Sequence, residues 1–319
     1  MRSHSLTPLP PPRPNQHYVT ISPINGGSIT LPDHCFVTPA DPDAKRTVPS
    51  LSFLIAHPGS TDTGNDAWNG RPLKLLFDLG LRSRKDRYLP LQQKHLESRA
   101  PYGLSGVAER LSKGGVEPRD VDIIFLSHVH YDHHGDPEDF LRSTFIVGPG
   151  SLDVLKHGVG GIGSHQHFQG DLLPVDRTVQ LPPASNGGSS RPAAGALWKP
   201  LGPFPAALDL LDDGSMYVVD TPGHLPGHIN LLCRTAVDRW VCLAGDSFHD
   251  PRLLTGEKDI GTWDDGQGHQ LCIHLDPVAA KASIERLRQL ENMGNVEVIA
   301  AHDDGWAEKH SGVFFPSSM

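Results

Sequence analysis

Apolar residues form short runs along the first quarter of the chain, and turn-forming residues separate these runs. Between His17 and Asp78 the runs read HYVTIS, GSITL, HCFVTP, LSFLIAH and LKLLFDLG. Clusters of Gly, Pro and Asp between them are typical of strand boundaries. The pattern therefore predicts a mostly antiparallel group of strands that ends near Asp78.

The middle of the chain combines buried strands with short helices. The run Val121–Ser127 contains four consecutive large apolar residues and predicts a strand buried on both faces. A second short strand is expected at Phe145–Val147. Apolar residues at helical spacing predict helices over Leu104–Leu111, closed by Gly114, and over Leu152–His157.

The second half repeats the order of strands followed by a helix. Strands are predicted at Tyr217–Val219, Asn230–Cys233, Trp240–Ala244 and Val296–Ala300. Between the last two, the apolar positions of Pro277–Met293 recur at helical intervals. Strands followed by helices, twice over, predict an α/β fold, a sandwich made of two similar halves.

Two kinds of segment depart from this regular pattern. Residues 1–16 are polar and rich in proline, which predicts a disordered arm. Residues 17–319 are expected to form a single domain with loop excursions at about 81–106 and 155–205. Connections of that length are usually functional or mobile, so the second excursion is a candidate lid.

Composition and charge narrow the classes of function. The sequence has no run of 18 apolar residues and no apolar segment near its start, so neither a spanning helix nor a secretory signal is expected. Its four cysteines form no close pair, which excludes a thiolate zinc finger and fits the cytoplasm. The net charge of −9 disfavours a nucleic-acid partner. We expect a small-molecule substrate and no membrane partner, and the sequence is compatible with a homodimer.

Histidine is unusually frequent, with 19 residues against five tyrosines, and four of the most closely spaced follow a buried strand. The segment reads Ser127-His-Val-His-Tyr-Asp-His-His-Gly135. Residues i and i+2 of an extended segment face the same way, so His128 and His130 can reach one point together. Asp132 and His133 follow as the chain turns, and they can address a second point a few ångströms away.

Three later segments also end a strand with a residue that can bind a metal. His224 follows Tyr217-Val-Val-Asp-Thr-Pro-Gly, Asp246 follows Val241-Cys-Leu-Ala-Gly, and His302 follows Val296-Glu-Val-Ile-Ala-Ala. Sites in α/β proteins collect at the carboxyl ends of strands. These side chains are therefore expected to converge on the histidine loop.

This set resembles the signature of the metallo-β-lactamase superfamily, HxHxDH followed by a His, an Asp and a His. The resemblance covers about residues 18–310. It implies an αββα sandwich of two mixed β-sheets flanked by helices. It also implies seven metal ligands, which in this sequence are His128, His130, Asp132, His133, His224, Asp246 and His302. Asp78 matches an earlier aspartate that supports the site in that superfamily.

The resemblance implies two divalent metal ions. One ion would be held by His128, His130 and His224, the other by Asp132, His133 and His302, with Asp246 between them. Zinc is the first expectation for such nitrogen and oxygen ligands, and manganese, iron or cobalt are alternatives. A hydroxide bridging the ions would attack a substrate carbonyl, and Asp132 would orient it and pass its proton to the leaving group.

Local motifs point towards ring-opening enzymes of this superfamily. The segment TPGHLPGH, Thr221–His228, is similar to one in N-acyl-homoserine lactonases, and LAGDSFHD is similar to fungal members that open lactones and lactams. His249 stands where lactonases have a tyrosine that contacts the substrate carbonyl, and it is a candidate catalytic residue. His228 is expected to form a structural hydrogen bond within its loop.

The resemblance leaves more than one reaction open. The first expectation is a dinuclear hydrolase of the lactonase or γ-lactamase type, which opens a cyclic ester or amide. A second is a thioester hydrolase like glyoxalase II or the polyketide-releasing members. A third is a dioxygenase with one iron per chain, and metal content separates it from the other two.

Overall fold

The computed structural model describes residues 7–59, 70–160, 167–184 and 198–319. Its strands are β1 (Thr20–Pro32), β2 (Val37–Thr38), β3 (Lys45–His57), β4 (Leu73–Phe77), β5 (Gly103–Leu104), β6 (Ile123–Leu126), β7 (Thr144–Val147), β8 (Thr178–Gln180), β9 (Lys199–Leu201), β10 (Phe204–Asp209), β11 (Met216–Asp220), β12 (Ile229–Ala236), β13 (Arg239–Leu243), β14 (Asp259–Ile260), β15 (Thr262–Asp264), β16 (Gln270–Cys272) and β17 (Val296–Ile299). Its α-helices are α1 (Pro90–Glu97), α2 (Val107–Lys113), α3 (Ser151–His157), α4 (Pro251–Thr255), α5 (Pro277–Glu291) and α6 (Asp304–Lys309).

Most strands belong to two mixed sheets. The first has seven strands in the order β5-β1-β3-β4-β6-β7-β8, antiparallel from β5 to β4 and parallel from β4 to β8. The second has six strands in the order β17-β13-β12-β11-β10-β9, and only β13 and β17 run parallel in it. Two further pairs, β2 with β14 and β15 with β16, stand apart from both sheets.

The sheets pack face to face because their side chains alternate between two apolar surroundings. On β6, Ile123 and Phe125 pack against the second sheet, whereas Ile124 and Leu126 pack against α2 and α3. On β12, Leu231 faces the first sheet and Leu232 faces α4 and α5. The result is four layers, helices outside two sheets, which confirms the predicted αββα sandwich.

Several elements differ from the sequence pattern. HYVTIS and GSITL belong to one strand, β1, whose pairing with β3 shifts between Asn25 and Ser28. HCFVTP is mostly a single turn at Asp33–Cys35 followed by the two-residue β2. The excursion at 81–106 contains α1, and that at 155–205 contains β8 and β9. Short elements with few apolar residues carry too weak a periodicity to be read from the sequence.

The structure describes the second predicted excursion and the arm only in part. Residues 161–166 and 185–197 lie outside the described residues, and a lid at 155–205 stays a prediction. Residues 1–6 of the predicted arm also lie outside them, while Arg13 donates hydrogen bonds to Asp209 and to the Asp212 carbonyl. The division into an arm and one domain stays a prediction. Within the described ranges, no helix has the length and apolar character needed to cross a bilayer.

Candidate active site

The histidine loop begins where β6 ends and brings its first two imidazoles together. His128 Nε2 lies 2.8 Å from His130 Nδ1, and both side chains are buried. His224, on the loop after β11, approaches the same place, with its Nε2 3.0 Å from His130 Nδ1. The three nitrogens, together with an Asp246 oxygen, lie within 4.8 Å of one another and could hold a metal ion.

Asp132, His133 and His302 form a second group of the same kind. Their ligand atoms also lie within 4.8 Å of one another, and all three side chains are buried. His302 Nε2 lies 3.6 Å from Asp132 Oδ2. The structure thus brings together all seven residues that the sequence predicted as ligands, in two adjacent groups.

The carboxylate of Asp246 faces both groups, one oxygen to each. Its Oδ2 lies 3.3 Å from His224 Nε2 and 3.8 Å from His128 Nε2. Its Oδ1 lies 3.2 Å from His133 Nε2 and 3.3 Å from His302 Nε2. A carboxylate in this position could contribute to two cations at once.

The ligands come from both sheets. His128, His130, Asp132 and His133 follow β6 of the first sheet. His224, Asp246 and His302 follow β11, β13 and β17 of the second sheet. The site therefore lies across the edge of the sandwich, where strand ends of the two sheets meet.

Buried hydrogen bonds fix the ligands from behind. Asp78, which directly follows β4 and has a φ of 60°, accepts hydrogen bonds from the Ser127 N–H at 2.7 Å and from the Ser127 hydroxyl at 2.8 Å. Its Oδ2 also lies 2.9 Å from His133 Nδ1. His302 Nδ1 donates to the Pro49 carbonyl at 2.7 Å. Such partners select the tautomer and orientation of each imidazole.

His228 holds Asp246 in place in a similar way. Its Nε2 accepts the backbone N–H of Asp246 at 3.0 Å, and its Nδ1 lies 3.0 Å from the Thr221 hydroxyl. Because Nε2 accepts, Nδ1 carries the proton and donates to the Thr221 hydroxyl or carbonyl oxygen. The hydrogen bond within the loop that the sequence predicted for His228 is therefore present, and it extends to Asp246.

Electrostatics divides the imidazoles into two kinds. Burial lowers the pKa of His128 and His224 well below the usual value, and lowers the pKa of His130 to about 3. These rings are neutral and can each offer a lone pair. Burial would also lower the pKa of His133, but Asp246 and Asp78 on either side raise it well above its usual value.

The central carboxylate is ionised in spite of its surroundings. Burial would raise the pKa of Asp246, but His133, His249 and His302 hold it well below the usual range. A buried anion surrounded by imidazoles is the electrostatic environment that a cation would occupy favourably.

Unpartnered polar atoms support the fit of metal ions to this site. Asp246 Oδ1 and His133 Nε2 are buried, and although they are 3.2 Å apart neither has a hydrogen-bond partner of acceptable geometry. Buried polar atoms of a folded protein are normally paired, so two orphans that face each other need an explanation. The donor set of imidazoles and carboxylates suits zinc and the other first-row divalent ions. The residues present therefore fit the implied metals.

A pocket of about 390 Å³, counted with its opening, borders both ligand groups. Its polar walls include His130, Asp132, His224, Asp246, His249 and His302, and its apolar walls include Ile29, Leu31, Phe36, Trp263 and Ile273. Burial raises the pKa of Cys35, which also lines the pocket, so this thiol stays protonated. The pocket therefore has the candidate ligands on one side and apolar side chains on the other.

His249 lies between the pocket and the ligands. Its Nε2 is 3.0 Å from Asp246 Oδ2, and its ring stacks on Phe36 with centroids 5.0 Å apart. The ligand atoms of His249, Asp246 and His302 also fall within 4.8 Å of one another. This residue can therefore contact a bound substrate or add a nitrogen to the second group.

Four residues in or beside the pocket could not be predicted from the sequence. Phe36, Arg99 and Trp263 line the pocket, and His274 lies beside two of its lining histidines. Arg99 and Trp263 lie in segments without regular periodicity, and Phe36 was assigned to a strand. His274 is buried beside His224 and His249, with ring centroids 5.3 and 5.4 Å away. A lone histidine in a polar loop carries no spacing signal that could have marked it.

A family model described as the metallo-beta-lactamase superfamily matches residues 74–302. Among curated proteins, the chain is 29% identical over 332 residues to a cytochrome P450 monooxygenase named mpaDE' from Penicillium brevicompactum. That alignment covers 96% of this chain but 36% of the relative. The chain therefore spans about a third of that relative's length, and the monooxygenase name describes the longer protein.

Two further similarities concern proteins of which the chain covers a larger share. The chain is 27% identical to gamma-lactamase FDB1 of Fusarium pseudograminearum, over 80% of this chain and 66% of that protein. It also superposes on an N-acyl homoserine lactone hydrolase solved with its product at the catalytic metal centre, with a TM-score of 0.63. The second match is 17% identical over 94% of this chain and 98% of the other, and it concerns the fold alone.

Proposed function

The chain belongs to the metallo-beta-lactamase superfamily, and we propose that it is a metal-dependent hydrolase that opens a cyclic ester or amide with two divalent metal ions. The observation that carries this proposal is the position of Asp246, whose two oxygens face two separate groups of buried ligand atoms. A site for one ion would need only one such group.

The assignment of ligands follows from the two groups. His128, His130 and His224 would hold one ion, Asp132, His133 and His302 would hold the other, and Asp246 could contribute to both. Zinc is the first choice, and manganese, iron or cobalt are compatible with the same atoms. When bound, such ions would lower the pKa of a coordinated water to near neutrality and polarise a carbonyl.

The protein's own groups complete the chemistry. Asp132 is buried beside the pocket, and its carboxylate orients the nucleophilic water and carries a proton to the leaving oxygen or nitrogen. His249 presents Nε2 next to Asp246 Oδ2, so its N–H can donate to a substrate oxygen placed beside that carboxylate. The apolar walls exclude water around the ring to be opened.

The substrate class is supported by the named relatives and by the pocket. A gamma-lactamase aligns over 80% of this chain, and an N-acyl homoserine lactonase of Rhizobium radiobacter aligns over 83%. Both names describe enzymes that open small rings. The aliphatic and aromatic walls of the pocket, with polar groups of the ligand set on one side, suit the apolar ring and polar carbonyl of a lactone or lactam.

Elemental analysis coupled to a hydrolysis panel of γ-lactones, γ-lactams and acyl thioesters tests the proposal. We expect two metal ions per chain and ring opening of a lactone or lactam. Thioester turnover without ring opening would support the thioester hydrolase instead. One iron per chain, together with oxygen consumption, would support a dioxygenase.

A further inference from the structure

Arg99 lines the same pocket as the candidate ligands, yet no acidic residue in the described part of the chain pairs with it. Its side chain is half-buried, and its Nε atom is buried without a hydrogen-bond partner. Arg82 and Arg46, by contrast, each contact at least two carboxylates. The buried Nε–H is therefore left with neither water nor a protein acceptor, which costs free energy unless a ligand supplies the acceptor.

The backbone of Arg99 is held firmly. Its N–H donates to the Leu96 carbonyl at the end of α1, and its carbonyl accepts from the Thr30 N–H on β1, both at 2.9 Å. Burial raises the pKa of the Cys35 thiol, and Arg99 partly offsets that rise, so the guanidinium lies within electrostatic range of the pocket wall. The arginine is therefore presented to the pocket by ordered structure.

The charges of the loaded site favour an anion at this position. Asp132 and Asp246 supply two negative charges, whereas two divalent ions would supply four positive ones, and Arg99 adds another. A guanidinium donates two parallel hydrogen bonds to a carboxylate, a geometry that a neutral group cannot reproduce. The apolar walls formed by Phe36 and Trp263 accommodate the rest of a compact molecule.

We propose that Arg99 binds a carboxylate carried by the substrate, separate from the ring carbonyl that is hydrolysed. The inference rests on the proposed function and deepens it. The substrate is then a lactone or lactam that bears an acid group, and Arg99 determines specificity by holding that group while the ring carbonyl faces Asp246 and Asp132.

The kinetic test compares matched substrates and matched variants. The substrates are a γ-lactone or γ-lactam with a ring carboxylate and the same ring with a carboxamide. We expect wild type to favour the carboxylate in kcat/KM. Arg99→Met should lower kcat/KM for the carboxylate by roughly 10- to 100-fold, mostly through KM, and leave the carboxamide within about twofold. Arg99→Lys should recover part of the loss, and the exposed Arg119→Met should behave as wild type.

A binding experiment separates this inference from the proposed function. Calorimetric titration of the metal-loaded protein with cyclopentanecarboxylate and with cyclopentanecarboxamide requires no turnover. Wild type should bind the carboxylate more tightly, and Arg99→Met should lose about tenfold or more of that affinity while metal content stays unchanged. Equal carboxylate affinity in wild type and Arg99→Met would overturn the inference. Absence of ring opening in every substrate, with the binding difference intact, would overturn the proposed function alone.

Discussion

Asp78 Oδ2 and His133 Nδ1 lie 2.9 Å apart in a hydrogen bond that no solvent reaches. An ionised carboxylate can only accept, so Nδ1 carries the proton. The other ring nitrogen, Nε2, lies 3.2 Å from Asp246 Oδ1, and it would offer its lone pair to a metal ion once the ring is neutral. The aspartate thus determines which nitrogen of His133 faces the candidate metal site.

Replacing Asp78 by Asn should weaken metal binding without removing any ligand. The amide cannot act as a full acceptor for both Ser127 and His133, and the imidazole loses its fixed tautomer. We expect metal affinity or kcat/KM to fall roughly 10- to 100-fold. Competition with a coloured chelator measures the affinity. Unchanged affinity and activity would show that the hydrogen bond does not orient His133.

Asp246→Ala and His302→Ala should differ in the number of ions that they lose. His302 belongs to one ligand group, so its variant should keep about one ion per chain. Asp246 faces both groups, so its variant should fall below one. Elemental analysis after desalting measures the difference, with the exposed His157→Ala as the control. Equal losses in the two variants would contradict a shared role for Asp246.

His249→Phe separates the two roles open to His249. A substrate contact predicts that kcat falls about 10- to 1,000-fold while both ions remain, because one hydrogen bond to the reacting carbonyl is lost. A metal-binding role predicts that ion content falls in parallel. Single-turnover rates and elemental analysis of the same preparation decide between them. We expect the first result.

Asp220, half-buried at the end of β11, should make stability depend on pH. Burial raises its pKa to about 6, and Arg286 only partly opposes this. A carboxyl whose pKa is raised on folding stabilises the protein at low pH, and that contribution is lost as pH rises through about 4 to 6. The free energy of unfolding of Asp220→Asn should therefore exceed that of wild type at pH 7 more than at pH 4.

The rise in the pKa of Asp220 sets an upper limit on this difference in unfolding free energy. One pKa unit corresponds to about 1.4 kcal/mol, so the Asn variant should gain up to about 3 kcal/mol between the two pH values. Urea unfolding of both proteins at pH 4 and pH 7 measures it, and comparing variants at the same pH cancels effects of metal binding. The exposed Asp176→Asn should show no such dependence. A gain that does not change with pH would contradict the raised pKa.

Gly223→Ala should disturb both stability and the position of His224. Gly223 has a φ of 135°, and an added Cβ would lie 2.2 Å from the backbone nitrogen of Ala280 on α5. Gly266→Ala is the matched control, because Gly266 has a φ of 78° but open space around its Cβ. We expect the control to lose about 1–2 kcal/mol and Gly223→Ala to lose more, with weaker metal binding. Thermal unfolding and metal titration measure both effects.

The fold and the seven candidate ligands could be predicted because each depends on a local signal. The continuous apolar run before His128 marks a buried strand, and the HxHxDH spacing fixes which side chains share a direction. His224, Asp246 and His302 each follow a strand of the second half. The order of these signals along the chain predicted a sandwich of two similar halves, and the resemblance to the superfamily implied its αββα layering.

The pocket walls could not be predicted in the same way. Phe36 and Trp263 come from short irregular segments whose packing depends on residues far away in sequence. Arg99 follows a helix that the weak periodicity of residues 81–102 did not reveal. Its lack of a carboxylate partner can be recognised only in the three-dimensional structure, where the distances to the surrounding acidic residues are known. Specificity residues on irregular loops leave little trace in sequence patterns.

Under the proposed assignment, the bound ions would cross-link the two sheets, because four ligands follow β6 and three follow strands of the opposite sheet. Saturating the site then contributes to the folding free energy by mass action, and this contribution grows with the concentration of free metal. Cells short of the metal would hold a protein that is both inactive and easier to unfold. Proteolytic turnover of the chain would consequently follow metal supply.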